Sequence, residues 1–139
     1  MILQEGKTLL PPIYEQFFIF RAKTKSVYDG DSLLADIDLC FGVNLLNQAI
    51  RINGIDTPEM RGKGVTKQEK ALAKAARDRV KELVKKAFWL ESLDGGKKDK
   101  YGRILGNIYT LNGLDVAKTL INEGYAVAYD GGTKTHNWA

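Results

Sequence analysis

The stretch Tyr28-Asp29-Gly30-Asp31-Ser32-Leu33-Leu34-Ala35-Asp36-Ile37-Asp38-Leu39-Cys40 decides the fold. Leu33, Ala35, Ile37 and Leu39 alternate with Leu34, Asp36, Asp38 and Cys40, a period-two pattern that lays one apolar face along a strand. Asp29-Gly30-Asp31 is turn chemistry and separates this strand from an earlier one over residues 15–28, rich in Phe17, Phe18, Ile19, Phe20 and Val27. A connection at residues 41–47 leads to a third strand over residues 48–55, and the second and third most simply pair as an antiparallel hairpin centred near Val43 and Asn44. The start of one then lies beside the end of the other, which brings Asp31 next to Asp56.

Outward from this hairpin, Thr66-Lys67-Gln68-Glu69 has the spacing of a capping box, with Thr66 satisfying an early N–H and Glu69 reaching back to the cap. Leu72, Ala76, Val80, Leu83 and Ala87 recur at three or four residues and predict one apolar helical stripe. The opposite face, with Lys70, Lys74, Arg77, Lys81 and Lys85 among acids, reads as solvated. Strands are predicted over residues 88–93 and 103–110, and Asp115 caps a short helix whose Val116, Ala117, Leu120 and Ile121 face inward, with Gly124 past its end. Strands and helices in this order predict an α+β, mainly β chain, a five-stranded OB-like barrel carrying two or three helices.

The 139 residues, 44% hydrophobic, suit one domain with a real core. A formal charge of +4 is compatible with a polyanionic partner without establishing one. Cys40 is the only cysteine, which excludes an intrachain disulfide, and is expected to be a small buried hydrophobe; His136, the only histidine, and Trp138 belong to the tail and are given no role. Chemistry must therefore run on carboxylates and cations. No segment approaches the ~20 apolar residues of a membrane span, and residues 1–5 lack a signal peptide's pattern, so the expectation is a cytoplasmic protein with no membrane partner and no obligate protein partner.

Asp31 and Asp56, with Thr57-Pro58-Glu59 immediately following, form an oxygen-only cluster of the kind that suits calcium or magnesium. Arg51 and Arg103 are the candidates for binding phosphate, since a guanidinium bonds two phosphate oxygens at once. Arg51 and Asp56 lie five apart, so an unbroken strand would point them to opposite faces; Gly54 is the predicted site of a bulge or strand end that corrects the parity.

Four motifs then resemble, in order and spacing, those of the staphylococcal nuclease family: Tyr28-Asp29-Gly30-Asp31-Ser32, Ile50-Arg51 through Gly54-Ile55-Asp56-Thr57-Pro58-Glu59, Asp99-Lys100-Tyr101-Gly102-Arg103, and Glu123-Gly124-Tyr125-Ala126. The resemblance spans residues 23–129, leaving residues 1–22 as an N-terminal extension and 130–139 as a tail. It implies a nuclease that hydrolyses phosphodiester bonds of DNA, RNA or both with low sequence specificity, leaving 3′-phosphates. It further implies Ca2+, with Mg2+ as the other cation considered, held by Asp31, Asp56 and the Thr57 carbonyl; Glu59 as general base; and Arg51 and Arg103 as the phosphate clamp. Lys100 and Tyr101 are implied contacts to a terminal phosphate, and Tyr129 a ring that stacks on a base. Ser32 departs from the family's threonine, the loop at residues 60–65 is shorter, and the long last helix is missing.

Taken singly, these residues have plainer readings: Arg51 would pair with Asp36 across the hairpin, Arg103 would be a surface charge, and Tyr101 and Tyr129 would pack at a rim. The rival function is a non-catalytic module of the same fold that binds nucleic acid or protein. Such modules typically lack the set Asp31, Arg51, Asp56, Glu59 and Arg103, which this chain carries.

Overall fold

The computed structural model describes residues 18–132, 134 and 136–138. The extended lead-in expected around Pro11-Pro12 lies outside them. β1 (Ile19–Asp29), β2 (Ser32–Asp38), β3 (Asn44–Ile52), β5 (Ala87–Ser92) and β6 (Ile104–Tyr109) close into a barrel in the order β1-β2-β3-β6-β5. β3 and β6 run parallel, and the other neighbours are antiparallel. Two short strands, β4 (Ile55–Asp56) and β7 (Val127–Ala128), pair beside the barrel, and helices α1 (Lys67–Val84) and α2 (Val116–Asn122) pack on it. This is the expected five-stranded OB barrel with two helices.

The alternation that predicted β2 is what buries it: Leu33, Ala35 and Ile37 face the core with Ile50, Ile52, Phe88, Leu90 and Ile108. β3 begins at Asn44 and not at residue 48, because the reversal is tighter than expected. Cys40, Phe41 and Gly42 take positive φ of 71°, 58° and 76°, and Val43 N–H reaches the Cys40 carbonyl at 3.0 Å. Cys40 is consequently exposed in a turn, which corrects its expected burial.

In α1, Thr66 caps as predicted, its hydroxyl accepting Glu69 N–H at 3.0 Å. The stripe is shifted, however. Ala73, Ala76, Val80 and Val84 are buried, whereas Leu72 is exposed, because only small residues fit where the helix lies closest to the barrel, and Ala87 already belongs to β5. In α2, Asp115 caps Lys118 N–H at 3.1 Å, Gly124 adopts φ +83° after the end, and Val116 and Leu120 are buried; Ile121 turns outward. Arg79 of α1 grips Glu123 with two N–H donors, at 2.6 and 2.9 Å, which ties the helices together across the surface. Among the described residues no helix is long and apolar enough to cross a membrane.

Candidate functional site

The turn between β1 and β2 is built by its own acids. Asp29 Oδ1 accepts the Asp31 N–H at 3.3 Å and the Ser32 hydroxyl at 2.6 Å. Gly30 lets this turn press inward: a Cβ there would stand 2.8 Å from both the Ala76 Cβ and the Thr57 Cγ2, far inside contact distance. The pairing of Ser32 with Arg51 then sets Asp31 beside the end of β3, where its carbonyl accepts Ile52 N–H at 2.8 Å. β3 stops at Ile52, and Gly54 at φ +86° turns the chain into β4, the strand end predicted to correct the parity. As a result the Asp31 carboxylate accepts Thr57 N–H at 3.3 Å, and Asp31, Arg51, Asp56 and Thr57 form one buried group.

Arg51 does not pair with Asp36, which instead accepts Asn47 N–H and an ion pair from Lys25. Its guanidinium donates to the carbonyls of Ile52 at 2.7 Å and Ile55 at 2.8 Å and stands 3.4 Å from Asp31 Oδ2. These bonds fix the plane of the fork and satisfy a cation that would be costly to bury unpaired. Asp31 is pushed up to about 6, first by burial and then by the neighbouring Asp29 carboxylate, with Arg51 and Lys134 only partly opposing.

The chain returns to this group at its far end. β7 pairs with β4, setting Val127 opposite Asp56, and Tyr129 N–H reaches the Gly54 carbonyl at 2.9 Å. The Tyr129 ring therefore lies against the site, with Arg51 Cζ 5.9 Å and Lys134 Nζ 5.8 Å from its centroid. A turn follows, in which the Tyr129 hydroxyl donates to the Gly132 carbonyl and Gly132 N–H to Asp130. It carries Lys134 back to the carboxylates, Nζ lying 2.9 Å from Asp56 Oδ1 and 2.8 Å from Glu59 Oε1. Burial works against this ammonium's charge, yet Glu59 and Asp56 outweigh it and hold its pKa above the ordinary lysine range. An open cavity of about 340 Å³ is lined here by Asp56, Tyr129, Lys134 and His136 among others.

Glu59 stands at the rim, half-exposed, and its backbone N–H donates to the Glu69 carboxylate of α1 at 3.0 Å. Glu69 thus does not reach back to its own cap, as the capping box predicted, but fastens the loop that carries Glu59.

Lys100, Tyr101 and Arg103 form a separate group. Asp99 accepts N–H bonds from Tyr101 at 2.9 Å and from Arg103 through its backbone at 2.9 Å and its side chain at 2.7 Å. Burial alone would raise the Asp99 carboxyl; these donors hold it below the usual range. Lys100 and Arg103 flank the Tyr101 ring at 5.3 and 5.5 Å. Leu105 pairs with Arg51 across the parallel β3–β6 ladder, so Arg103 sits two residues behind the matching position on the next strand. No hydrogen bond or ion pair among the described residues joins this group to Asp31, Arg51 or Asp56.

Reading the sequence missed three contributors. Asp29 orders the turn, Glu69 holds the Glu59 loop, and Lys134 meets the two carboxylates. A lysine after Gly131-Gly132 carries no signal of its own; only the β4–β7 pairing shows where it goes.

The model of the staphylococcal nuclease homologue family matches residues 49–137, from the middle of β3 through the tail that returns to Asp56. No curated protein sequence matches the chain. The matched segment holds the Arg51, Asp56, Glu59 and Tyr129 geometry just described, and this chain belongs to the family of staphylococcal nuclease homologues.

Proposed function

We propose that the protein is a metal-dependent nuclease that hydrolyses phosphodiester bonds of DNA or RNA with little sequence preference. The observation that carries this reading is the buried group of Asp31, Arg51, Asp56 and Thr57, opening on a cavity whose rim bears Glu59 and Tyr129. A purely structural barrel has no use for two buried acids set against a buried, oriented arginine.

The donor set fits a hard divalent cation. Asp31, Asp56 and the Thr57 carbonyl offer oxygen alone, and the ammonium already lying between Asp56 and Glu59 shows that positive charge is accommodated there. Among the described residues no three acids, histidines or cysteines converge as a closed cage, so water and a phosphate oxygen would complete the coordination. When bound, Ca2+ or Mg2+ would polarise the phosphoryl group and lower the pKa of water.

The chain's own groups do the rest. Arg51, held by two carbonyls, has N–H donors left to take the phosphate oxygens on which charge accumulates. Glu59 takes the proton of the attacking water; the phosphorus–oxygen bond to the 5′-carbon's oxygen breaks, that oxygen takes a proton, and a 3′-phosphate remains. Arg103, with Lys100 and Tyr101, contacts the strand beyond the scissile phosphate, and Tyr129 stacks on a base.

The separation of Arg103 from Arg51 favours, as the second reading, a module that binds nucleic acid or protein without cutting it. Incubation with single-stranded DNA, duplex DNA and RNA in calcium, magnesium or chelator, beside Arg51→Ala and Glu59→Ala, tests the choice. Metal-dependent cleavage that both variants lose, giving 3′-phosphate ends, is expected. Binding without cleavage under every condition would establish the module instead.

A further inference from the structure

We infer that Lys134 is an internal competitor for the metal position, so that a divalent cation must displace it to load the site. This rests on the proposed reading of Asp31 and Asp56 as metal carboxylates, and adds to it how loading is controlled.

The argument begins with charge. Asp29, Asp31, Asp56 and Glu59 are gathered within a few residues of one another in space, and Asp56 is only 4% exposed. Arg51 answers Asp31, but Asp56 and the Glu59 carboxylate have one cation between them, the Lys134 ammonium at 2.9 and 2.8 Å. A single positive group spanning two acids stands where a hard cation would be expected to go.

The placement is built by the fold. The β4–β7 pair, the Tyr129-to-Gly54 hydrogen bond and the turn closed by Tyr129 and Gly132 leave Lys134 over the Tyr129 ring and facing β4. The contact is also exchangeable. Toward Asp56 it has the distance of an ion pair without the alignment of a directed hydrogen bond, so it acts as a point charge. The lysine side chain is 43% exposed, and its ammonium can swing into water without opening the core. A doubly charged ion between the same oxygens gains more Coulomb energy than a singly charged one, but only after two contacts are broken. The affinity measured for the metal is therefore weaker than that of the bare carboxylates.

Calcium titration by calorimetry on the full chain, without nucleic acid, tests this with wild type, Lys134→Gln and Lys134→Arg. Lys134→Gln is expected to bind Ca2+ about tenfold more tightly, as two partly exposed ion pairs are removed, and Lys134→Arg to stay near wild type. Melting gives the complementary readout: without metal Lys134→Gln melts lower, and saturating Ca2+ raises it by more than it raises wild type. Equal or weaker Ca2+ binding by Lys134→Gln overturns the competition and leaves the metal reading standing. If wild type and Lys134→Gln both fail to bind Ca2+ or Mg2+, the metal reading falls and the competition with it.

Discussion

The Glu69 carboxylate, in the first turn of α1, accepts the backbone N–H of Glu59 ten residues earlier, at 3.0 Å. The helix start thereby positions the one rim acid that faces the cavity without being buried. Because the Thr66 hydroxyl caps the helix independently, the two duties of this turn can be separated by mutation. Glu69→Ala should lower turnover by about tenfold while circular dichroism shows α1 intact, since misplacing a catalytic group by an ångström costs on the order of 10²-fold at most. Glu69→Gln keeps an acceptor oxygen and should restore most of the activity. Full activity in Glu69→Ala would show that the loop holds its place unaided.

Arg51→Lys should lose activity by about 10²-fold or more, because a lysine supplies one point charge where the fork supplies aligned donors. It should also destabilise the fold by about 1–3 kcal/mol, since the carbonyls of Ile52 and Ile55 would share one ammonium in place of two fixed N–H groups. Arg103→Lys, by contrast, breaks a half-exposed pair with Asp99 and should leave the melting temperature nearly unchanged. Turnover and melting measured on both variants separate the roles; undiminished turnover in Arg51→Lys excludes it from the chemistry.

Asp31 makes the metal-free protein's stability depend on pH in an unusual sense. Its folded pKa, about 6, lies above the ordinary aspartate value of about 4. Between those limits the native state binds more protons than the unfolded state, so stability falls as pH rises, and the full cost of the buried charge is present above about 6. That cost is on the order of 2–3 kcal/mol. Asp31→Asn keeps an acceptor for Thr57 N–H and should raise the melting temperature near neutral pH in chelator, with the gain vanishing toward pH about 4. A melting temperature that drops in Asp31→Asn at neutral pH would mean that its pairing with Arg51 outweighs burial.

Gly30→Ala should be among the more damaging single-atom additions in the chain. The new methyl would overlap both Thr57 and Ala76, and neither a strand end nor a helix face can give way cheaply. A loss of about 1–3 kcal/mol in denaturant unfolding is expected, together with weaker Ca2+ binding, because the turn that carries Asp31 must retreat from Thr57. Unchanged binding with lowered stability would show that Asp31 and Thr57 move as a unit.

What could be read from the residues follows from which signals are local. β2 was legible because one face is buried and one is not, and the β2–β3 pairing placed Asp31 against Asp56 with Gly54 as the turn. Thr66 and Asp115 were legible as caps, since capping is a contact within a few residues. Leu72 was misread because periodicity alone does not distinguish it from Ala73, and the close approach of α1 to the barrel selects the smaller side chain. Cys40 was misread because the tightness of a reversal depends on backbone angles that its composition does not announce. Lys134 was invisible for the most physical reason: its contacts with Asp56 and Glu59 bridge most of the chain, and no pattern near residue 134 reports them.

The β4–β7 pair has a consequence for how the protein ages and varies. The hydrophobic core is closed by residues up to Ala126, and Lys134 adds nothing to it. A protease that clips the chain beyond Tyr129 would leave a barrel that still folds and melts as before, yet with the electrostatics of its acids rewritten. Quality control that senses exposed apolar surface would pass such a molecule, and lineages are free to retune this segment without paying for it in folding.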